Sequence, residues 1–535
     1  MLASDEQRAI VDAWRRGDGD IKTVAAAGAG KSSTLVLQAE AVQQPLLVLV
    51  FNRQNRLDAR GRFPPWVVTR TANGAAFAGL GLRREDVVDR HSPPELAAAL
   101  GWSARVGLSA GLRAADALEA VARFCRSADD RLDERHAVAL LGGAQALADA
   151  QELWSRLSER RLPLGHDHYL KLWQMAGAPL TRRFGALGFD EAQDANEVMI
   201  EAARLIGLRT CWIGDPWQQI YRWRGAVDAL ERVDGETFHL TRSWRFGQAV
   251  ADFANGLLRH APRPPEKPLR GREDRNSTIG PVTGRHAVVC RTISGLLEEA
   301  LATDPLPISV VGGVEELQRL AAGALDLKAG RPGRLPTALA GFADWAELED
   351  FAGATDSAEL KLLVRLVERH GRALRPLLAG VAARCRPADQ AEIELTTAHR
   401  AKGREWDQVR LAEDFPAATD LMTPAADPEA EAERGEEINL IYVSASRVRF
   451  LLQPNSTALA LAAGRPLEGS SPAAAPARAG AAAPKGVRSD REAVRARRRD
   501  ALETLAKDGP GLAPAVQERT PRRTRATRWL GGSQS

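Results

Sequence analysis

The sequence predicts an α/β protein of two parallel-sheet lobes, each with a helical insertion, followed by a basic tail. Short apolar strands alternate with helices in two stretches of the chain, which is typical of parallel sheets covered on both faces. Each stretch contains a long segment of helical pattern without clear strands, at about 79–180 and 314–390. Two α/β units with helical insertions are the simplest architecture for this pattern.

The first lobe is predicted from the order of its strands. Strand-like runs at Ile21–Val24, Pro45–Phe51 and Trp66–Thr71 surround a helix that follows Lys31. After the insertion, strands resume at Phe184–Phe189 and Thr210–Gly214, and the next strand, Thr237–Leu240, falls at the start of the region that we assign to the second lobe.

The second lobe is predicted from a further set of strands. They lie at His286–Arg291, Pro307–Val311, Ile393–Thr397, Gln408–Ala412 and Arg449–Gln453. We therefore divide the chain into a first lobe (1–78 and 181–235), its insertion (79–180), a second lobe (236–313 and 391–465), its reduced insertion (314–390) and the tail (466–535).

Composition limits the class of protein. A length of 535 residues suggests two to four folding units, and a hydrophobic content of 44% is enough for real cores. The four cysteines are far apart and form no Cys-x-x-Cys pair, which argues against a disulfide scaffold or a zinc site. No apolar run approaches membrane-spanning length, and Asp5 and Glu6 fall where a signal peptide would need apolar residues. We expect a soluble, cytoplasmic protein without a membrane partner.

The net charge of +4 is unevenly distributed. Residues 466–535 carry 14 basic and 7 acidic residues, a net +7, whereas the preceding 465 residues carry 59 and 62, a net −3. Global charge therefore does not indicate a nucleic-acid partner, which would have to bind in a local groove. The Ala/Pro/Gly/Ser/Arg-rich composition after Gly464 predicts a largely disordered tail.

The segment Ala25–Ser32 forms a nearly complete phosphate-binding loop between a strand and a helix. The pattern Gly-x-x-x-x-Gly-Lys-Ser/Thr directs backbone N–H groups at phosphate oxygens, and here Ala25 replaces the first glycine. Lys31 would neutralise phosphate charge and Ser32 would bind Mg²⁺. Taken alone, the segment could also be a Gly/Ala-rich turn.

A second element removes that ambiguity. Asp190 and Glu191 end a weak strand in the run Phe-Asp-Glu-Ala-Gln-Asp. An Asp at the end of a strand can hold the Mg²⁺ of a nucleoside triphosphate, and the adjacent Glu can polarise the attacking water. The two elements together predict an NTPase.

An aromatic and cationic run follows about twenty residues after the acidic pair. Gln218 stands at a strand end, where it could sense the γ-phosphate. Tyr221 and Trp223 alternate with Arg222 and Arg224, which suits stacking of unpaired bases and binding of phosphates. Core aromatics beside a solvated arginine pair would produce the same pattern, so both interpretations stay open at this point.

The ordered motifs identify a family resemblance. They resemble those of superfamily 1 DNA helicases of the UvrD/Rep type, and they are most similar to the F-box DNA helicase branch, although no F-box segment is found. The segments that carry the resemblance are Leu2–Gln7, Ala25–Ser32, Phe51–Arg53, Phe189–Asp194, Gly214–Ala226, Thr241–Phe246, Leu395–Asp407 and Glu436–Arg447.

The resemblance implies an ATP·Mg²⁺ site in the cleft between two RecA-like motor domains. Ser32 and Asp190 would hold the metal, and Arg245 and Arg447 would be arginine fingers. The implied catalytic residues are Glu191, Gln218, Arg245 and Arg447. The implied nucleotide contacts are Gln7, Ala25, Ala26, Ala27, Gly28, Ala29, Gly30, Lys31, Ser32, Ser33, Trp244 and Glu405, with Gln7 reading adenine and Trp244 stacking on it.

The resemblance also implies partners. The DNA contacts would be Phe51, Asn52, Thr71, Tyr221, Trp223, Arg224, Thr397 and His399. Asn73 stands where relatives carry a histidine, and Ser33 stands where many carry an arginine. Single-stranded DNA, single-strand/duplex junctions and recombinase filaments are the implied partners of a monomeric protein.

The function implied by the resemblance is an ATP-dependent 3′→5′ DNA helicase or translocase, acting on single-stranded DNA in repair or recombination control. Two alternatives remain from the sequence. A helicase–nuclease fusion would need an acidic nuclease cluster, and a nucleotide-gated regulatory protein would bind DNA without catalysis. A DNA-stimulated ATPase assay separates the second alternative from a motor.

We predict that deleting residues 466–535 weakens DNA binding at low salt and flattens the dependence of log affinity on log salt. Flexible cations near a polyanion act through release of counterions, which is sensitive to salt. The maximal ATPase rate at saturating DNA should stay nearly constant, because no motif lies beyond Gln453. Salt titrations of both proteins measure this, and an unchanged slope would mark the tail as a linker or a protein-docking segment.

Overall fold

The computed structural model describes residues 3–17, 19–50, 61–105, 108–331, 335–336, 339, 342, 344–354 and 358–465. Within these ranges the strands form two six-stranded sheets in which every strand pairing is parallel. The predicted α/β fold of two parallel-sheet lobes is confirmed. The predicted DNA contacts Phe51 and Asn52 and the tail lie outside the described residues.

The first sheet contains β1 (Ile21–Ala25), β2 (Leu46–Val50), β3 (Val67–Thr71), β4 (Ala186–Asp190), β5 (Thr210–Gly214) and β6 (Glu236–Leu240). Their order across the sheet is β3-β2-β4-β5-β1-β6. The carboxyl ends of β4, β5 and β1 are therefore neighbours at one edge. Ligands of open parallel sheets bind at this edge, which here carries the phosphate loop and the acidic pair.

Helices cover both faces of the first sheet. In chain order they are α1 (Asp5–Arg16), α2 (Lys31–Val42), α3 (Ala72–Gly79), α4 (Pro93–Ala99), α5 (Ala110–Arg126), α6 (Ala144–Ser158), α7 (His166–Met175), α8 (Glu197–Ile206) and α9 (Ala229–Arg232). All five residues of β2 are buried. Val48 packs with Trp14 of α1 on one face, whereas Leu47 packs with Phe124 of α5 on the other. A strand buried on both faces must be apolar throughout, which explains the continuous run Leu-Leu-Val-Leu-Val.

The second sheet contains β7 (Thr278–Ile279), β8 (His286–Cys290), β9 (Ile308–Val310), β10 (Ile393–Thr397), β11 (Trp406–Leu411) and β12 (Val448–Gln453), in the order β7-β12-β11-β8-β10-β9. Its helices are α10 (Gln248–Leu258), α11 (Ile293–Ala302), α12 (Glu315–Lys328), α13 (Trp345–Ala354), α14 (Ala358–His370), α15 (Leu374–Arg384), α16 (Ala398–Ala401), α17 (Ala418–Met422), α18 (Pro428–Ala445) and α19 (Ser456–Ala463). Val289 packs with Tyr442 of α18 on one face, and Val288 packs with Leu363 of the insertion on the other.

Two features differ from the predicted division of the chain. The strand β6, assigned above to the second lobe, pairs with β1 along its whole length in the first sheet. The boundary at 235/236 therefore moves beyond Leu240. The short edge strand β7 was not predicted, because two residues give no detectable alternation of apolar and polar side chains. None of the described helices is both long and apolar enough to cross a lipid bilayer.

Candidate active site

The loop between β1 and α2 is held open by two glycines in the left-handed region. Gly28 has φ 72° and Gly30 has φ 86°, backbone conformations that glycine adopts without a steric penalty. The helix α2 begins at Lys31, so the N–H groups of its first turn have no intrahelical acceptor and point toward the loop. Such a helix start is suited to bind phosphate.

Several backbone N–H groups of this loop donate hydrogen bonds within the protein. Ala26 N–H donates to Leu240 O (2.8 Å), Ala29 N–H donates to Ala26 O (3.1 Å), and Ala27 N–H donates to the Tyr442 hydroxyl (2.9 Å). The structure therefore does not present the N–H groups of these three alanines to a ligand. Ala25 is buried at the end of β1, and Ser33 is exposed on α2.

The phosphate loop and the acidic pair meet directly. The Ser32 hydroxyl donates to Asp190 Oδ2 (3.0 Å), and Lys31 Nζ lies 3.4 Å from Glu191 Oε2. Both pairs join the start of α2 to the end of β4, which the strand order places close to β1. The sequence predicted these four residues as a unit, and the structure brings them together.

Glu191 is held in a costly backbone conformation. Its φ is 56° and its ψ is 45°, in the left-handed region where a non-glycine residue costs on the order of 1–3 kcal/mol. Gln193 Nε2 donates to Glu191 Oε2 (2.6 Å), and Gln193 Oε1 accepts from Asp215 N–H (2.9 Å). The side chain of Gln193 therefore orients the carboxylate and links it to the end of β5.

Burial and neighbouring charges shift the pKa values of Lys31, Asp190 and Glu191. Burial lowers the pKa of Lys31, but the carboxylates of Glu191, Asp215 and Asp190 outweigh burial, so its pKa stands above the ordinary value. Burial raises the pKa of Glu191, but the charges of Lys31 and Lys402 outweigh it, so its pKa is lowered. Burial and the Glu191 charge raise the pKa of Asp190. Of the two carboxyls, Glu191 is therefore the one held firmly in its ionised form.

A chain of buried hydrogen bonds crosses from the first lobe to the second. Arg447 Nη2 donates to Gln218 Oε1 (2.9 Å), and Gln218 Nε2 donates to Asp215 Oδ2 (2.5 Å). The Tyr442 hydroxyl donates to the same Asp215 oxygen (3.3 Å) while it accepts from the phosphate loop. Burial and the charge of Arg245 lower the pKa of Arg447 to about 9.

Arg245, the other predicted finger, also faces the loop. Arg245 Nε donates to Glu405 Oε2 (2.9 Å), and Arg245 Nη1 donates to Ser446 O (2.8 Å). A Cβ placed on Gly28 would lie 2.8 Å from Arg245 Cβ, so the arginine backbone packs against the phosphate loop. Glu405, predicted as a nucleotide contact, is thus the ion-pair partner of a predicted finger.

Sequence reasoning missed Lys402, a lysine of the second lobe that lines the site. Lys402 Nζ donates to Asp194 Oδ2 (2.5 Å) and to Gln218 O (2.6 Å), and it lies 5.1 Å from the Tyr221 ring centroid. Burial raises the pKa of Asp194 to about 7, against the opposing charge of Lys402. A lysine and an aspartate 208 positions apart give no pairing signal in one sequence.

A cavity of about 110 Å³ lies at the meeting of these groups. It is lined by Gly28, Lys31, Glu191, Asp194, Gln218, Tyr221, Arg245, Lys402, Gly403 and Arg447. The lining contains the phosphate-loop lysine and all four predicted catalytic residues. Both lobes therefore contribute charged side chains to one enclosed space.

The predicted base contacts lie beside the loop. Gln7 Nε2 donates to Thr34 Oγ1 (3.1 Å), and Gln7 Oε1 accepts from Ser4 N–H (3.0 Å) in a capping box at the start of α1. Trp244 N–H donates to Gly28 O (2.8 Å). Gln7 and Trp244 are therefore both fixed against the phosphate loop, as the prediction requires.

The aromatic and cationic run divides into an exposed part and a partly buried part. The Trp223 side chain is 62% exposed, and the Arg224 guanidinium carbon lies 4.6 Å from its ring centroid. Tyr221 packs against the core of the second lobe, and burial raises its pKa to about 12. Of the two interpretations left open by the sequence, core packing does not describe Trp223.

The other predicted DNA contacts have different surroundings. Thr71 Oγ1 accepts from Gly74 N–H (2.9 Å) and so caps α3, while Asn73 Nδ2 donates to His166 O (2.9 Å). His399 lies 6.2 Å from the Tyr221 ring centroid, and burial lowers its pKa to about 4. Thr397 is only 6% exposed. The structure therefore places His399 beside Tyr221 but does not present the Thr397 side chain at the surface.

Comparisons with known proteins agree with the motifs. Residues 107–232 match the family described as UvrD/REP helicase N-terminal domain. "F-box DNA helicase 1" of Gallus gallus is 26% identical over 499 residues, which cover 84% of this chain and 48% of that protein. "F-box DNA helicase protein 1" of Schizosaccharomyces pombe is 28% identical over 510 residues, covering 85% and 57%. A "Probable DNA helicase II homolog" of Mycoplasma pneumoniae is 32% identical over 108 residues, covering 18% and 14%.

These matches confirm the resemblance to UvrD-like superfamily 1 helicases and to the F-box DNA helicases among them. The chain spans about half the length of the two F-box relatives that it matches.

We predict that Gly28→Ala weakens nucleotide binding at least tenfold. Its Cβ would lie 2.7 Å from Ser243 Oγ and 2.8 Å from Arg245 Cβ, so the loop must separate from the segment that carries the finger. Gly17→Ala is the matched control, because φ there is 85° but nothing lies within 4 Å. The control should lose only about 1–2 kcal/mol of stability from the left-handed backbone. Calorimetric titration with nucleotide checks both, and equal effects on binding would contradict the packing argument.

Proposed function

We propose that this chain, which resembles the UvrD-like superfamily 1 helicases, is an ATP-hydrolysing DNA helicase or translocase that moves 3′→5′ on single-stranded DNA. The single observation that carries the proposal is the contact between Arg447 and Gln218. It joins a cation of the second lobe to a group that the first lobe holds beside the phosphate loop. A nucleotide bound there would touch residues of both lobes, so loss of its γ-phosphate would change contacts in both.

The residues present suit Mg²⁺. The Ser32 hydroxyl and the Asp190 carboxylate are hard oxygen donors within hydrogen-bond distance of each other. Mg²⁺ is usually held by one or two protein oxygens together with substrate phosphates and water. When bound, the metal would neutralise charge on the β- and γ-phosphates.

Glu191 is the proposed general base. Its carboxylate is paired with Lys31, which keeps it ionised. Phosphate oxygens compete for the same ammonium group. When Lys31 turns to the phosphates, Glu191 loses its strongest counter-charge and becomes more basic, and Gln193 keeps its carboxylate oriented. A water between Glu191 and the γ-phosphate can then transfer its proton to Glu191 while its oxygen attacks the γ-phosphorus and the nucleoside diphosphate leaves.

Arg245 and Arg447 are the proposed charge clamp. They enter the cavity from segments that connect the lobes or belong to the second lobe, and they face Lys31 and Glu191. Their charges stabilise the transition state most when the cleft is closed, which couples hydrolysis to lobe movement.

DNA coupling is proposed to run through the segment between Gln218 and Trp223. Gln218 touches the second-lobe finger, whereas Trp223, five positions further along the chain, exposes its ring to solvent. Lys402 contacts both Gln218 O and the Tyr221 ring. A base stacked on these aromatics would therefore act on the same short segment as the nucleotide.

The direction of movement, the DNA substrates and the biological setting are proposed from the family resemblance. We propose the 3′→5′ direction, single-stranded DNA and single-strand/duplex junctions as substrates, and repair or recombination control as the setting. Recombinase filaments are a proposed target. A strand-displacement assay beside a filament-disruption assay tests whether the motor separates duplexes or mainly removes proteins from single strands.

We expect Glu191→Gln and Lys31→Ala both to abolish ATP hydrolysis, for different reasons. Glu191→Gln loses the base and should lower kcat by about 100- to 10,000-fold while nucleotide still binds. Lys31→Ala loses the phosphate charge and should weaken binding itself. Lys328→Ala, an ion-paired lysine of the second insertion, is the control and should change neither. Near wild-type hydrolysis by Glu191→Gln at saturating DNA would rule out Glu191 as the base.

We expect Trp223→Ala to uncouple the motor. Base–aromatic stacking contributes roughly 1–3 kcal/mol per base, which is enough to control slipping along the strand. Translocation on single-stranded DNA should therefore fall more than DNA-stimulated ATPase. Phe450→Ala, which removes another exposed ring, is the matched control and should leave both rates unchanged. Equal losses of both rates with a lowered Tm would show instead that Trp223 is structural.

A further inference from the structure

The edge of the Trp244 indole lies against the phosphate loop. A Cβ placed on Gly30 would lie 3.4 Å from Trp244 Cδ1 and 3.3 Å from Gln7 Nε2, so the ring and the amide both lie close to the loop at Gly30. Ser4 and Thr34 fix the Gln7 amide at this place. An aromatic ring held beside phosphate-binding groups is suited to stack on the base of a nucleotide.

A second planar group covers this ring. The Arg242 guanidinium carbon lies 5.1 Å from the Trp244 ring centroid. Arg242 Nε is buried and has no hydrogen-bond partner among the described residues. Its ion pair with Glu273 is loose, with Nη2 and Oε1 3.6 Å apart, and the Glu273 side chain is 86% exposed. Arg242 therefore stacks on Trp244 without using its buried donor.

A structural arginine in the same protein behaves differently. Arg209 stacks on Trp14 with its guanidinium carbon 4.1 Å from the ring centroid. Its donors are all engaged on backbone oxygens: Nε with Gly19 O (2.6 Å), Nη1 with Trp14 O (2.6 Å) and Nη2 with Ala13 O (3.2 Å). This is how an arginine packs when its role is to join elements of the fold. Arg242 has the stacking, but no backbone oxygen among the described residues accepts from its guanidinium, and the ring on which it stacks borders the phosphate loop.

We propose that Arg242 and Trp244 form a clamp for the base of a purine nucleotide, with Trp244 on one face of the base and the Arg242 guanidinium on the other. The proposal rests on the ATP site described above and adds a base-binding residue to it. A guanidinium stacks on a purine as it does on an indole, because both present an electron-rich face to a planar cation.

The side chain of Arg242 can make the required movement. It is 32% exposed, and among the described residues it would give up its loose pair with Glu273 and its direct stack on Trp244. A base entering between the ring and the guanidinium shifts the latter outward by one stacking distance. The Nε–H lies in the plane of the guanidinium, so it points past the edge of the stacked base, where a ribose oxygen could accept from a donor that has no partner among the described residues.

The clamp separates recognition of the base from binding of the phosphates. Lys31, Ser32 and the fingers bind the triphosphate, whereas Arg242 would touch only the base. Loss of Arg242 should therefore weaken binding of a nucleotide but not of inorganic tripolyphosphate, which carries the same phosphates without a base. A residue that supports the loop from outside would affect both ligands equally.

The test is calorimetric titration of Arg242→Ala with the Mg²⁺ complexes of a non-hydrolysable ATP analogue and of inorganic tripolyphosphate. We expect Kd for the ATP analogue to rise about 5- to 30-fold, as loss of a desolvated cation–π contact implies. Kd for tripolyphosphate should change less than twofold. In steady-state assays, KM for ATP should rise while kcat at saturating ATP stays within twofold.

Matched variants make the test specific. Arg242→Lys keeps the charge but loses the planar group, so it should behave like Arg242→Ala. Arg272→Ala removes a neighbouring arginine that is paired with Asp274, and Glu273→Gln removes only the counter-ion; both should bind like the wild type. In a Trp244→Leu background, loss of Arg242 should have a much smaller effect, because the two groups act on the same base.

The outcomes distinguish this proposal from the one on which it rests. Equal weakening of both ligands, wild-type affinity in Arg242→Lys, or additive effects of Arg242 and Trp244 would each overturn the clamp while the ATP site stands. Lys31→Ala should lose both ligands. If the wild-type protein binds neither ligand, the proposed function itself is wrong.

Discussion

The structure depends on one constraint, the buried chain of hydrogen bonds that runs from Arg447 through Gln218 and Asp215 to Tyr442 and the phosphate loop. Each member uses the next as donor or acceptor, and none of these side chains can withdraw without leaving a buried polar group unpaired, at a cost of about 1–3 kcal/mol. Two members belong to the second lobe and two to the first. The lobes are therefore joined at the place where a nucleotide would bind. A change in its phosphates would alter hydrogen bonds of both lobes.

The cations around this chain of hydrogen bonds are balanced by carboxylates. Lys31 and Lys402 each face a carboxylate, Glu191 and Asp194 respectively, and Arg245 faces Glu405. Charges buried without partners would be costly, so the protein neutralises its own phosphate-binding groups with carboxylates. In the proposed mechanism a nucleotide competes for these cations and releases the acids. Glu191 is the carboxylate that we propose to gain basicity on release and to accept a proton from water.

Much of the site followed from the sequence because its members lie in short, contiguous patterns. The loop from Gly28 to Ser32 and the pair Asp190–Glu191 combine a local backbone geometry with a fixed chemistry, so spacing alone indicates them. Contacts between distant segments gave no such signal. The pairing of Lys402 with Asp194, the burial of Thr397 and the use of the Ala27 N–H by Tyr442 depend on how two lobes meet. The placement of β6 in the first sheet is of the same kind, since a strand pattern does not say which sheet the strand joins.

The sequence by itself determined the α/β class, the strands that build both sheets except the short edge strand β7, and the residues that we propose to bind phosphate and metal. These depend on periodicity and on motifs within a few positions, which a single chain displays directly. Only the tertiary structure decided which groups share a buried space. It placed Arg447 on Gln218, exposed Trp223 and set Arg242 over Trp244. The physical reason is that packing and electrostatics act through distance in space, and two residues separated by the length of a lobe leave no trace of their contact in the order of the chain.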